Sequence, residues 1–164
     1  MKTSFISTVF NEQKSIDLFA QSILHQTRLP DEIVIVDGGS TDATASVISN
    51  FKFQISNKKI VFKFLVKKGN RAVGRNKAIS SASGDIILCS DAGCILDSRW
   101  VEEIVKPFKH KAVDVVAGYY KGNPQSVFEK CLVPYVLVIA SIYVINNSGK
   151  TLTVPSITAK SAAN

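Results

Sequence analysis

The sequence predicts an α/β protein with a doubly wound, mostly parallel sheet flanked by helices. Short β-rich runs alternate with helix-like segments from residue 4 to residue 120. A continuous apolar run at residues 86–88 is typical of a central parallel strand that is covered on both faces. An acidic turn with two glycines, at residues 37–42, joins an apolar strand to a helical pattern. This alternation favours parallel strands joined by right-handed crossovers.

Each element follows from its local pattern. Strands are expected at residues 4–10, 32–36, 60–66, 85–90 and 113–120. Helices are expected from Ile16, after the acidic turn, at residues 71–81, and after Asp97 or Ser98. The first helix has the clearest apolar face, formed by Ile16, Phe19, Ala20, Ile23 and Leu24. The third helix is expected to pack through its small apolar residues Ala72, Ala78 and Ile79.

The segment of residues 131–145 is apolar nearly all round, with Pro134 inside it. Asn123-Pro124 predicts the start of a helix before it. Its length falls short of the ~20 residues that a bilayer-spanning helix needs. Three interpretations stay open: a helix in the core or facing a partner, a helix on a membrane surface, and a spanning helix. Residues 151–164 show no pattern of a closing helix or strand.

Composition limits the classes of protein. The chain has 164 residues, 46% hydrophobic and 20% charged, which suits one globular domain with a real core. A net charge of +7 favours an anionic partner such as a nucleotide or a phospholipid surface. The basic residues are scattered and do not interleave with aromatic residues, so no nucleic-acid partner is expected.

The cysteines bear on redox chemistry, and the first residues of the chain bear on location. Cys89, Cys94 and Cys131 form no CxxC pair, which argues against a disulfide scaffold and a structural zinc site. The apolar run near the amino terminus meets Asn11 and Glu12 before it is long enough for a signal peptide. We therefore expect a first strand there and a cytoplasmic protein.

Three strand ends carry the chemistry: residues 8–12, 37–42 and 91–94. Because parallel strands end at the same edge of a sheet, we expect these tips to line one crevice. Asp37 offers an acceptor for a ribose hydroxyl or a base N–H, and the glycines let a ligand approach the backbone. Converging carboxylates repel each other unless they hold a cation or a hydrogen-bonding ligand. Magnesium or manganese with a nucleoside diphosphate would satisfy both needs. A plain turn with helix-capping side chains is the alternative.

Five motifs in this order resemble the nucleotide-sugar-binding half of the family 2 glycosyltransferases, which have the Rossmann-like GT-A fold. They are STVFNE at residues 7–12, HQT at 25–27, EIVIVDGGSTDAT at 32–44, GRNKAI at 74–79 and GDIILCSDAG at 84–93. The resemblance covers about residues 3–120. It implies transfer of a sugar from a nucleotide-diphosphate donor, expected to be a UDP-sugar, to an acceptor hydroxyl with inversion. Residues 1–122 would then be the nucleotide-sugar-binding domain, and residues 123–164 an apolar helix and the start of an acceptor-binding part.

The resemblance also implies roles for single residues. Thr8 and Phe10 would frame the base, with Phe10 stacking on it, and Glu12 and Asp37 would contact the nucleoside. The full donor-binding set implied is Thr8, Phe10, Glu12, Asp37, Arg71, Arg75 and Asp91. Guanidinium groups such as those of the two arginines suit diphosphate oxygens. Solvated arginines on an exposed helix face are the alternative.

Two departures from the family pattern bear on activity. Asp91 matches the first acid of the DxD motif, but Gly93 stands at the third position. A magnesium or manganese ion is therefore expected at Asp91 alone, with donor phosphates and waters completing its shell. Cys94 is expected to be a small buried residue. Inverting transfer needs a general base, and no Asp or Glu follows Glu129. We expect that base beyond Asn164, in a longer enzyme of which this chain is an amino-terminal fragment.

The acceptor class and the partners follow less directly. A growing polysaccharide, a lipid carrier or a protein would each present a suitable hydroxyl. The apolar segment of residues 131–145 favours peripheral contact with a membrane surface, and apolar surface exposed by truncation favours a homo-oligomer. A non-catalytic nucleotide-binding or assembly module is the alternative function. A nicotinamide-dependent enzyme is disfavoured because no GxGxxG follows the first strand.

Overall fold

The computed structural model describes residues 1–110, 113–121, 126–128, 130, 142–146, 151–154 and 158–161. The predicted α/β alternation is confirmed. The elements are β1 (Thr3–Val9), α1 (Ile16–Leu24), β2 (Glu32–Asp37), α2 (Thr44–Gln54), β3 (Val61–Val66), α3 (Arg71–Ser81), β4 (Ile86–Cys89), β5 (Cys94–Ile95), α4 (Trp100–Val105), a 3₁₀ helix (Lys106–Lys109), β6 (Val113–Val116), β7 (Tyr119–Lys121), β8 (Ile142–Asn146), β9 (Thr151–Val154) and β10 (Thr158–Ser161).

The central sheet is parallel and has the strand order β3-β2-β1-β4. Val9 at the end of β1 lies beside Asp37 at the end of β2. On the other side of β1, Ile6 lies beside Cys89, the last residue of β4. The chain segments that follow β1, β2 and β4 therefore leave the sheet at one edge, as the strand pattern predicts.

Helices cover both faces of this sheet because successive strand residues point in opposite directions. On one face, Phe5 packs between the rings of Phe19 and Trp100, with ring centroids 5.8 and 6.1 Å away. On the other face, a smaller cluster packs Ile6, Val34, Val36 and Ala78 of α3 together. The sheet is therefore doubly wound around two apolar layers.

Two expectations about contacts were wrong. Ala72 and Ile79 are exposed, and α3 buries Gly74 and Ala78 instead. The cause is close packing on β1, since a Cβ at Gly74 would lie 3.0 Å from Cγ2 of Thr8. Ile87 of β4 is 42% exposed and so is not covered on both faces. β4 is an edge strand of the central sheet, whereas α3 packs on β1 and β2.

The expected strand at residues 113–120 is divided in two. β6 pairs antiparallel with β8, which pairs antiparallel with β9. β7 runs parallel to β10, and β10 pairs antiparallel with β5. Residues 151–164 thus contain two strands where none was expected. The boundary at residue 122 stays a prediction, although strands from both sides of it are hydrogen-bonded.

The apolar segment of residues 131–145 is partly described. Residues 142–145 belong to β8, so the expected helix is wrong there. The sequence Ile-Tyr-Val-Ile is rich in β-branched and aromatic side chains, which suit a paired strand. Residues 131–141 and 123–124 lie outside the described residues. None of the helices in the described part of the chain has the length and apolar character needed to cross a bilayer.

An ion pair between a buried carboxylate and a partly exposed lysine lies at the edge of the sheet opposite the strand tips. Glu32, fully buried at the start of β2, lies 2.6 Å from Nζ of Lys63. Its carboxylate also accepts hydrogen bonds from the Ser83 amide at 2.7 Å and from Oγ of Ser4. Burial raises the pKa of Glu32, but the hydrogen bonds from Lys63, Ser4 and Ser83 outweigh it and lower the pKa to about 2.

Candidate functional site

An open cleft of about 390 Å³ lies at the carboxyl edge of the sheet. The segments after β1, β2 and β3 and the start of α3 form its walls. It is lined by Thr8, Val9, Phe10, Glu12, Val36, Gly38, Gly69, Asn70, Arg71 and Gly74. Four of the seven donor-binding residues implied by the family resemblance therefore lie in this lining: Thr8, Phe10, Glu12 and Arg71.

Asp37 organises the turn that follows β2. Its side chain is only 3% exposed, and its Oδ1 accepts hydrogen bonds from the amides of Gly39 and Ser40 at 3.0 and 2.8 Å. The Ser40 hydroxyl donates to the same oxygen at 2.7 Å. Gly39 has a φ of +100°, which favours glycine. Asp37 thus lies just behind the cleft wall, between the lining residues Val36 and Gly38, with these hydrogen bonds on one oxygen only.

Side chains connect the segment after β1 to the turn after β2. Asn11 has a φ of 54°, and its backbone N–H donates to Oγ of Ser40 at 2.9 Å. Its Oδ1 accepts from the Thr41 amide at 2.9 Å. The Glu12 amide donates to Oγ1 of Thr44 at 2.8 Å. These contacts hold two walls of the cleft together across the sheet edge.

Phe10 contributes an aromatic ring to the lining of the cleft, and Glu12 contributes a carboxylate. The Phe10 ring is 60% exposed, and its Cδ2 would lie 3.4 Å from a Cβ at Gly38. A side chain at residue 38 would therefore narrow the space beside the ring. The Glu12 carboxylate accepts a hydrogen bond from Oγ of Ser15. An exposed aromatic face beside a glycine can stack with a planar ring.

Gly69 and Asn70 also line the cleft but were not predicted from the sequence. Gly69 has a φ of +151°, and Oδ1 of Asn70 accepts from the Val73 amide at 3.0 Å as the N-cap of α3. The signal was present, because a polar Gly-Asn pair follows the apolar strand β3 and precedes a helix. The rule that located the other three strand tips applies equally to this one.

Asp91 is paired with both arginines of α3. Nη2 of Arg75 donates to its Oδ1 at 2.8 Å, and Nη1 of Arg71 lies 3.7 Å from its Oδ2. The side chains of Arg71, Arg75 and Asp91 are 71%, 40% and 43% exposed. Two guanidinium charges and one carboxylate leave a net charge of +1 beside the cleft, although Arg71 alone of the three residues is in its lining.

The expected convergence of carboxylates does not occur in the described residues. Asp37 is bound within its own turn, Glu12 contacts Ser15, and Asp91 contacts arginines. No group of three His, Cys, Asp or Glu side chains suited to a metal gathers anywhere in the described ranges.

The residues around Asp91 do not fit a divalent cation in this arrangement. Gly93 contributes no ligand, and guanidinium groups lie against both oxygens of Asp91. Cys94 is buried, as expected, and burial together with the nearby Asp91 charge raises the pKa of its thiol. Desolvation also raises the pKa of the Cys89 thiol, despite the neighbouring Arg75. A cysteine thiol is also a soft ligand, which suits magnesium or manganese poorly.

The parallel sheet, the helices on both faces and the polar cleft at the strand tips form a doubly wound fold of the kind found in GT-A glycosyltransferases. Two solved structures share it at low sequence identity. The Staphylococcus aureus protein TarS, residues 1–349 in complex with UDP, matches with a TM-score of 0.65 and 24% identity over 77% of this chain and 37% of that one. The mannosyltransferase PcManGT from Pyrobaculum calidifontis, in complex with GDP-Man and Mn2+, matches with a TM-score of 0.69 and 18% identity over 99% of this chain and 57% of that one.

Residues 4–155 match the sequence model of glycosyl transferase family 2, and this chain belongs to that family. A curated relative is the poly-beta-1,6-N-acetyl-D-glucosamine synthase of Staphylococcus aureus strain COL, 30% identical over 122 residues. That match covers 74% of this chain and 28% of the synthase. The chain therefore spans under a third of this relative's length.

Proposed function

We propose that this chain is the donor-binding part of an inverting glycosyltransferase that takes its sugar from a UDP-sugar. The observation that carries this proposal is one cleft with an exposed aromatic ring in its lining, the buried carboxylate of Asp37 just behind its wall, and Arg71 in its lining with Arg75 one helical turn further along α3. Those three features match, in that order, a base, a ribose and a diphosphate.

The base would stack on Phe10 and be framed by Thr8. Asp37 would accept from a base N–H or a ribose hydroxyl through Oδ2, since the hydrogen bonds of its own turn fall on Oδ1. Glu12 also lines the cleft. The diphosphate would extend towards Arg71 and Arg75, whose planar guanidinium groups pair well with phosphate oxygens.

The preference for a UDP-sugar is supported by likeness to other proteins. TarS was solved with UDP and also with UDP-GlcNAc. The Pyrobaculum mannosyltransferase was solved with GDP-Man, so the fold accommodates more than one nucleoside. The synthase among the relatives favours a growing polysaccharide as acceptor, for which a position at the cytoplasmic membrane surface would be suitable.

Transfer with inversion requires a general base for the acceptor hydroxyl. No Asp or Glu follows Glu129 in this chain. We place the base in a continuation beyond Asn164, together with the rest of the acceptor site. A non-catalytic nucleotide-binding module is the second candidate, favoured by Gly93 in place of an acid. A full-length parent with an essential carboxylate after residue 164 would decide for the enzyme.

The expected magnesium or manganese ion at Asp91 stays a prediction. GT-A glycosyltransferases commonly use a divalent metal, and PcManGT was solved with Mn2+. Magnesium is often bound through one or two carboxylates and substrate phosphates. The Asp91 carboxylate could therefore hold the ion by itself only if Arg75 moved away from it. When bound, such an ion would neutralise charge on the donor diphosphate.

Calorimetric titration of the 164-residue chain with UDP, GDP and dTDP tests the proposed function. We expect UDP to bind best, and Asp37→Asn to weaken it by about tenfold through loss of a charged acceptor. Asparagine keeps an Oδ1 acceptor for the turn, so the fold should survive. Asp114→Asn, an exposed acid on β6, is the matched control. Equal affinities for the Asp37 variant and the control would contradict the assigned role.

A further inference from the structure

We propose that Arg71 and Arg75 supply the positive charge that balances the donor diphosphate, so that this chain binds its nucleotide donor without a divalent cation. This inference rests on the proposed function and concerns the same site. It departs from the expectation of a metal at Asp91, and it starts from the residues that surround that acid.

The two arginines lie four positions apart on α3 and so face the same side of the helix. Arg71 lines the cleft together with Thr8 and Phe10. Arg75 lies one turn further along, where it reaches Asp91 after β4. The helix therefore carries positive charge from the cleft to the tip of β4. This is the path that a diphosphate would follow away from a base on Phe10.

Most of the hydrogen-bonding capacity of these guanidinium groups is available for phosphate. Each carries roughly five N–H donors. Arg75 donates one of them to Asp91 at 2.8 Å, and the contact of Arg71 at 3.7 Å is too long for a hydrogen bond. Both side chains are well exposed, at 40% and 71%. Asp91 thus positions the arginines. Apart from a contact between Arg75 and the Cys89 thiol, their other N–H groups have no hydrogen-bond partner among the described residues and can bind phosphate oxygens.

A divalent cation at Asp91 would meet unfavourable charge. It would have to displace Arg75 from Oδ1 and remain next to two guanidinium groups. Before donor binds, the local charge would be +2 from the ion, +2 from the arginines and −1 from Asp91, or +3 in total. Repulsion between like charges disfavours this state. Gly93, whose Cβ position has no atom of the described residues within 4 Å, supplies no second carboxylate to offset it.

The test is calorimetric titration of UDP into the 164-residue chain in EDTA and, separately, in manganese. We expect dissociation constants that agree within about threefold between the two conditions. Arg71→Gln and Arg75→Gln should each weaken binding at least about tenfold in both conditions, because each removes charged hydrogen bonds. Arg75→Lys, which keeps the charge but not the planar fork, should fall between Arg75→Gln and the unsubstituted chain.

Lys77→Gln is the matched control, because it removes one positive charge from an exposed position on the same helix. It should leave UDP affinity unchanged, and thermal unfolding should show that all four variants are folded. UDP binding in manganese that is lost in EDTA would overturn the inference and leave the proposed function standing. Equal losses in Lys77→Gln and Arg75→Gln would also overturn it, by showing a general charge effect. No binding of any nucleotide in either condition would overturn the proposed function as well.

Discussion

Asp37 and Glu32 occupy the two ends of β2, and both carboxylates are buried, but their surroundings differ. Asp37 accepts hydrogen bonds from its own turn, so its partners are supplied by residues 39–40. Glu32 accepts from residues that are distant in sequence, including Lys63 and Ser83. The first arrangement forms a site wall at the strand tip, whereas the second joins β2, β3 and the segment before β4.

The environment of Glu32 predicts a pH dependence of stability. Its pKa is about 2 in the folded chain, against an ordinary value of 4.5. Because the folded-state pKa is lowered, the stabilisation is complete above about pH 5 and is lost as the pH falls from about 4.5 to about 2. The contribution is about 3 kcal/mol. Urea unfolding of the unsubstituted chain and of Glu32→Gln, measured at several pH values between 7 and 2, checks this.

Glu32→Gln should be less stable at neutral pH and should lose less stability on acidification than the unsubstituted chain. Asp17→Asn, an exposed acid on α1, should retain the full acid-dependent loss. An acid-dependent loss of the same size in Glu32→Gln as in the unsubstituted chain would show that other carboxylates cause it.

At the level of elements, α3 shows what a sequence pattern can and cannot determine. Its bounds, residues 71–81, were predicted correctly, but its buried face was not. The segment has few large apolar residues, and the two it has, Val73 and Ile79, are exposed, so its periodicity does not identify the buried face. Packing on β1 selects Gly74 and Ala78, because only small residues permit that approach. With this face of α3 packed on β1, Arg71 lies at the cleft and Arg75 lies beside Asp91.

Gly84, in the connection from α3 to β4, lies close to the backbone of β1. A Cβ at Gly84 would lie 2.7 Å from the Ser4 amide nitrogen and 2.9 Å from the carbonyl carbon of Thr3. Both are backbone atoms of β1, so β1 or β4 would have to shift. Gly84→Ala should therefore destabilise the chain by about 1–3 kcal/mol. Urea unfolding measures this difference directly.

Gly93→Ala is the matched control, since a Cβ there has no neighbour within 4 Å in the part of the chain that the structure describes. It should change the free energy of unfolding by less than about 0.5 kcal/mol. Equal effects of the two substitutions would contradict the close contact between Gly84 and β1.

For the molecule as a whole, the sequence predicted the fold class and the edge at which the cleft forms. β2 shows why, since its apolar run ends in an acidic turn that contains glycines. This pattern fits few structures other than a strand tip at the ligand-binding edge of a parallel sheet. β8 shows the limit, because residues 142–145 suit a helix or a strand by composition, and pairing with β6 and β9 selects the strand. The pairing of Asp91 with Arg75 was also not predictable, since it depends on how α3 packs against β1.

Binding of the nucleotide part of a donor in the cleft beside Phe10 is tested most directly by titrating UDP into the ¹⁵N-labelled chain and mapping amide shifts by NMR. We predict the largest changes at Phe10, Gly38, Gly69, Asn70 and Arg71, with uridine alone shifting Phe10 and Gly38 but not Arg71. Changes centred on the second hollow, between α2 and β3 near Ile48, Lys52 and Phe64, would contradict the claim, as would no changes at all.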